Sequence, residues 1–157
     1  MNFSHCDHDE KYLTLHDCKA DRAYLRDGKL GFEFDDGFWI MPEHPGSNLP
    51  NTVRTDLSKA EYTLADGNVS AASVYVFKRT LFGRVIRTEW TLTELAENIN
   101  SGKCELEILY QFIDGVNRIV ECALRFKKRP YFGECMIKLT VSEVGYYWND
   151  LCEDRVW

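Results

Sequence analysis

Residues Leu15 to Ile40, LHDCKADRAYLRDGKLGFEFDDGFWI, set the strongest limit on what this chain can fold into. They hold two Asp-Gly pairs, Asp27-Gly28 and Asp36-Gly37, each flanked by strand-forming residues. Asp-Gly supplies the positive φ angles of a two-residue type I′ turn, whose twist matches that of paired strands. Leu30, Phe32 and Phe34 alternate with Gly31, Glu33 and Asp35, the period of a half-buried strand. The stretch reads as a three-stranded meander, and the rest of the chain is expected to complete its sheet.

The chain around it repeats this grammar. Residues 1–14 form a polar lead-in, loosely ordered or a short helix. Residues 43–52, EHPGSNLPNT, form a surface loop. A strand near Leu57 to Leu64 leads to a third turn signal, Asp66-Gly67. Val69 to Thr80 runs out as a strand, Leu81-Phe82-Gly83 turns it, and Arg84 to Trp90 returns, with Arg79, Arg84 and Arg87 on the wet side. Lys103 to Ile113 and Val116 to Phe126 form a second ribbon around Asp114-Gly115. After a loop at Lys127 to Gly133, Glu134 to Val144 is a further strand. The tail, GYYWNDLCEDRVW, is expected to be an irregular turn or short helix with Val156 and Trp157 exposed.

Thr91 to Ser101 is the one helix. Thr91 and Glu94 make an S/T-x-x-E capping box, and Leu92, Leu95, Ala96 and Ile99 form a single apolar stripe. Gly102 sits where a left-handed cap belongs. The expected fold is therefore α+β in one domain over residues 1–157. It is mostly antiparallel β, with about nine strands in a curved, sandwich- or barrel-like sheet. The helix near 91–101 packs across a sheet face or plugs a barrel end.

Composition bounds the function. Apolar residues are 45% of the chain and aromatics 13%, which fits a packed core rather than disorder. No apolar run reaches the ~20 residues that span a bilayer. The start, MNFSHCDHDEKYL, lacks the basic opening and apolar middle of a signal peptide, so a cytoplasmic protein is expected. With no spanning run, no membrane partner is expected, and the formal net charge of −6 repels phosphates, so nucleic acid is not an expected partner either. The dense basic cluster Lys127, Lys128 and Arg129 reads as a solvated hairpin tip. Of the six cysteines, Cys104, Cys122 and Cys135 fall in phase with core residues and read as small hydrophobes.

Catalytic signatures such as a nucleophile elbow or a phosphate loop are absent from the sequence. All four histidines lie within the first 44 residues, so any histidine chemistry must draw on that end. His5, Cys6 and His8, with His16 and Cys18 close behind, have the donor types of a metal site. Their spacing matches no strong zinc pattern, and a polar N-terminus is the simpler reading. His16-Asp17-Cys18 places His16 and Cys18 on one face of a strand, within side-chain reach. Glu33, Asp35 and Asp36, and later Glu105 and Glu107, form acidic edges at solvent-phase positions. Phe32, Phe34, Trp39, Tyr110 and Phe112 could line a curved sheet that holds a small apolar ligand, against the simpler reading of core packing.

The opening LHDC, followed by a strand, Asp27-Gly28 and LGFEFDDGFWI, resembles small bacterial β-meander proteins with a His-Asp step. Some of these are assigned as immunity proteins of toxin systems. The resemblance covers Leu15 to Ile40 and implies a cytoplasmic, non-catalytic protein that binds a partner; it carries no binding residues with it. Taken together, a protein-binding domain is expected, with no cofactor and a basic protein partner drawn by the acidic surface. The many strand edges also admit a homodimer. The alternatives are the apolar-ligand protein and a metal-assisted enzyme built on the N-terminal His and Cys residues.

Overall fold

A computed structural model describes residues 2–47, 49–67 and 69–157. Met1 of the lead-in and Asn48 of the loop lie outside them. Among the described residues are fourteen strands and one α-helix. In chain order the first eight strands are β1 (His5–Asp7), β2 (Leu13–Thr14), β3 (Cys18–Ala20), β4 (Arg22–Arg26), β5 (Lys29–Phe34), β6 (Trp39–Ile40), β7 (Val53–Thr55) and β8 (Ser58–Leu64). Then follow β9 (Ala72–Arg79), β10 (Val85–Trp90), α1 (Leu92–Asn100), β11 (Cys104–Asp114), β12 (Asn117–Phe126), β13 (Phe132–Trp148) and β14 (Leu151–Val156). Every pairing is antiparallel, as hairpin-rich connections dictate.

β13 organises the molecule. Phe132 to Thr140 lies between β12 and β9, whereas Val141 to Tyr147 pairs with β8, and β1 joins at Tyr146 to Trp148. Register slips between Val141 and Glu143, and the buried phase changes with it. Cys135, Ile137, Leu139 and Val141 point inward before the slip; Val144, Tyr146 and Trp148 do so after it. A bulge re-aims a strand in this way. One strand thus serves two halves of a ten-stranded sheet that wrap a common core. A second sheet, β14-β7-β6-β2, lies beside it.

The large sheet does not close. Its path ends on β3 and β4, which only Asp21 separates in sequence. α1 lies against β4 at this seam and buries Leu92, Leu95, Ala96 and Ile99. Its N-terminus carries the full capping box of Thr91 and Glu94, and Gly102 follows at a φ of 63°. Asn100 then stands in for a missing strand: its Oδ1 accepts from the Ala23 N–H (3.0 Å) and its Nδ2 donates to the Ala23 carbonyl (2.7 Å). Asn100→Ala is expected to lower stability by about 1–3 kcal/mol, because both backbone groups lose their partner. Urea denaturation checks this. Asn100→Asp should recover only part, since a carboxylate accepts from the N–H but repels the carbonyl.

Several sequence expectations are corrected. Asp27-Gly28 does form the hairpin turn of β4 and β5, with φ of 52° and 73°. Asp36-Gly37 does not join paired strands. β5 pairs with β8, β6 pairs with β2 and β7, and β3 pairs with β11, so the meander is a single hairpin. Gly37 is instead where the chain presses past Thr55, whose carbonyl oxygen would lie 2.0 Å from an added Cβ. The loop of the β11–β12 hairpin is Gly115-Val116, one residue later than expected, with Asp114 opposite Asn117. The lead-in is held by β1 and by Glu10, and the tail is strand β14, paired with β7, rather than a turn or helix. Both reach their conformation through edges supplied by distant strands, which local pattern does not announce.

Candidate functional site

The C-terminal end of β13 gathers the N-terminal residues that have reactive side chains. β1 pairs with Tyr146 to Trp148, and strand alternation sends His5 and Asp7 to one side and Cys6 to the other. The His5 ring stacks on Trp148 at 5.4 Å. Asp7 Oδ2 lies 2.7 Å from His44 Nε2, and the Gly46 N–H donates to His44 Nδ1 at 2.9 Å. Nδ1 therefore accepts, and Nε2–H donates to Asp7. Both ring nitrogens of His44 are engaged and the residue is 6% exposed, so it locks the loop in place and is not a free base. Burial pushes the Asp7 carboxyl up, but hydrogen bonds from the Asp9 and His8 N–H groups and from His44 outweigh it, and it lies below its ordinary range.

These residues wall an open pocket of about 490 Å³ with Ser4, Asn149, Asp150 and Leu151. Asp56 Oδ1 holds two of its lining residues by accepting from the Asn149 and Asp150 N–H groups (3.4 and 3.2 Å). Asp7 and Asp150 are the charged groups in its lining, and no lysine or arginine lines it.

On the other side of β1, Cys6 Sγ lies 3.4 Å from His8 Nε2. His8 Nδ1 faces the Val144 carbonyl at 2.9 Å, so it carries the hydrogen, and Glu143 Oε1 lies 3.2 Å away. This has the outline of nucleophile, base and orienting group. Glu143 and Val144 were not legible beforehand; the available signal was the Cys6-x-His8 spacing, which puts both side chains on one side of extended backbone. The balance of the surroundings, however, raises the thiol. Burial pushes Cys6 up and the Asp7 and Glu143 charges push the same way, against a hydrogen bond with Tyr147 and the Lys59 charge. A reactive thiol needs the opposite surroundings.

The five metal candidates do not form one site. His16 stacks on Trp157 (5.4 Å) and meets the edge of Tyr110 (5.3 Å), away from His5, Cys6 and His8. Asp17 has a φ of 56°, so 16–18 is a turn entering β3 and not a strand sharing one face. Cys18 is buried and its thiol is pushed up to about 12 by that burial, against the Arg54 charge. Among the described residues, no three His, Cys, Asp or Glu side chains converge as metal ligands do.

The aromatic candidates do not face a common space either. Phe32 and Phe34 are fully buried in the packed core. Tyr110 and Phe112 are more than half exposed on the outer face. The cause is a bulge: Ile108 opposes Cys122 but Tyr110 opposes Glu121, leaving Leu109 unpaired, so the phase inverts beyond it. Trp39 is half-buried beside Trp157 (5.7 Å), with its Nε1–H donating to the His16 carbonyl. The acidic edges are ion-paired: Arg22 takes Glu33 and Asp35, Arg155 takes Asp36, Lys19 takes Glu105, and Arg125 takes Glu107.

One charged centre escaped sequence reading altogether. Tyr24, Gly31, Glu61 and Gly145 form a row across β4, β5, β8 and β13. Gly31 lies under the Tyr24 ring, where an added Cβ would meet ring carbon at 2.1 Å. In the space so cleared, Glu61 accepts from Tyr24 (2.5 Å), Lys59 (2.6 Å) and Lys29 (2.9 Å). Burial pushes Glu61 up, but those three hydrogen bonds, Lys59 first, bring it down to about 2. Its oxygens are satisfied by the protein, which marks a structural clamp.

No protein-family model matches the chain, and neither a curated protein nor a solved structure is similar enough to match it.

Proposed function

We propose that this chain is a non-enzymatic, immunity-like protein of the bacterial cytoplasm that binds a basic protein partner, and that the pocket beside β1 receives a cationic side chain of that partner. The observation that supports this reading is the lining of the pocket: Asp7 and Asp150 carboxylates, no lysine or arginine, and a His5–Trp148 stack as one wall. A lysine or arginine can lay its aliphatic stem on such a wall and its charge on the carboxylates. The net charge of −6 adds long-range attraction. The enzyme alternative is weakened because the five N-terminal His and Cys candidates do not converge on one site, and the surroundings of Cys6 raise its thiol. The ligand alternative loses its cavity with Tyr110 and Phe112 on the outer face.

An Arg- and Lys-rich peptide titrated into labelled protein tests the proposal. The Trp148 indole and the amides of Asn149, Asp150 and Leu151 are expected to shift, and less so at high salt. Asp150→Lys, at an exposed position, should weaken the interaction about tenfold. Shifts confined to other surfaces, or untouched by Asp150→Lys, would refute the site.

A further inference from the structure

At the opposite end of β13 the character of the surface reverses. The β9–β10 tip presents Leu81 and Phe82, 85% and 98% exposed, and beside it the start of β13 presents Phe132, 70% exposed, after Tyr131. Two clefts adjoin these tips, one under the end of α1 and one between the hairpins. Their lining includes six cations, Lys78, Arg79, Lys103, Lys127, Lys128 and Arg129, and no carboxylate. None of the six is in an ion pair among the described residues, whereas the acidic edges elsewhere are matched by lysines and arginines. Arg84, also exposed, follows the β9–β10 tip. The seventeen residues of β13 separate this end from the acidic pocket by roughly 50 Å of strand contour.

We propose that this basic, apolar-tipped end docks on an anionic phospholipid bilayer surface, with Leu81 and Phe82 entering the headgroup boundary and the six cations facing the lipid phosphates. Charge and shape both favour this occupant. A nearly fully exposed Phe82 on a hairpin tip is convex, and a protein partner would need a matching hollow. A bilayer needs none, since its interface accepts apolar side chains to a depth of ~5–10 Å. Cations behind the tip then lie within a Debye length of the negative surface. The acidic pocket sits at the far end of β13, where the repulsion of its carboxylates by the bilayer is least. The sequence expectation of no membrane partner rested on the lack of a bilayer-spanning apolar run, which does not bear on docking at a bilayer surface.

The test is co-sedimentation with vesicles. Binding is expected to vesicles of one part phosphatidylglycerol to two parts phosphatidylcholine, and not to phosphatidylcholine alone. Leu81→Ser with Phe82→Ser should abolish retention, and each of Arg79→Glu and Arg84→Glu should weaken it at least fivefold. Lys11→Glu, a remote exposed cation, should leave it unchanged. All five positions are exposed, so the fold is retained and unchanged near-ultraviolet circular dichroism verifies this. Phe82→Trp should be quenched by brominated acyl chains. Equal binding to neutral vesicles, full binding by the Leu81 and Phe82 variant, or an unquenched Trp at position 82 would overturn the proposal. So would tighter binding to a single-stranded oligonucleotide that the same variants abolish. The surface differs from the acidic pocket, so either proposal can fail while the other stands.

Discussion

Replacing Glu10 by Ala is expected to lower stability by about 3–5 kcal/mol, the usual effect of stranding a buried charge. Glu10 and Arg118 are each about nine-tenths buried. The Glu10 carboxylate accepts from Arg118 Nε (2.9 Å) and from its Nη2, from Gln111 Nε2 (2.9 Å) and from the Tyr146 hydroxyl (3.4 Å). Arg118 in turn donates to the carbonyls of Gly115 (2.6 Å) and Asn117 (2.9 Å). One carboxylate thereby ties the N-terminal segment to β11, β12 and β13 at once. In the Ala variant the guanidinium keeps its two carbonyls and loses its counter-charge. Thermal unfolding should show Tm lower by roughly 10 °C. Glu10→Ala combined with Arg118→Met removes both charges and should recover much of the loss, since an apolar replacement of the pair has nothing left to desolvate. A loss under about 1 kcal/mol for the single variant would mean that water reaches the pair.

Glu61→Gln is expected to cost about 2–3 kcal/mol at neutral pH and to remove a specific acid sensitivity. The folded pKa of about 2 lies below the ordinary 4.5. A depressed carboxyl stabilises the fold fully above its unfolded value, and the contribution disappears as pH falls from about 4.5 through about 2. The difference corresponds to about 3 kcal/mol by linkage. Urea denaturation of both proteins at pH 7 and at pH 3 checks this. The gap between them should narrow at the lower pH, because the parent has by then lost much of what the variant never had. An equal gap at both values would mean that the amide fails for steric reasons and not through its missing charge. Glu61 is 8% exposed and takes three donors from Tyr24, Lys59 and Lys29, so the effect is read in stability and not in binding.

What the sequence by itself determined is local. The Thr91–Glu94 capping box, the apolar stripe through Ile99 and the cap at Gly102 are all contained within about a dozen neighbouring residues, and α1 follows them closely. The Asp27-Gly28 hairpin likewise closes on its own φ angles. The inward phase of Cys104, Cys122 and Cys135 also held, because alternation is a property of extended backbone that needs no partner to be read.

Tertiary structure decided which strands meet and where phase inverts. An unpaired residue at Leu109 turns Tyr110 and Phe112 outward, and a slip near Ser142 lets β13 pass from one half of the sheet to the other. A bulge depends on the partner strand's register, so the same alternating letters fit either course. Asp36-Gly37 shows the same limit: a pair that permits a hairpin turn only makes one if the following strand finds its neighbour there. The long-range polar contacts lie further still from local pattern. His44 reaches Asp7 across 37 residues and Glu10 reaches Arg118 across 108. A charge finds its counter-charge through space, and only the folded chain shows which ones are matched.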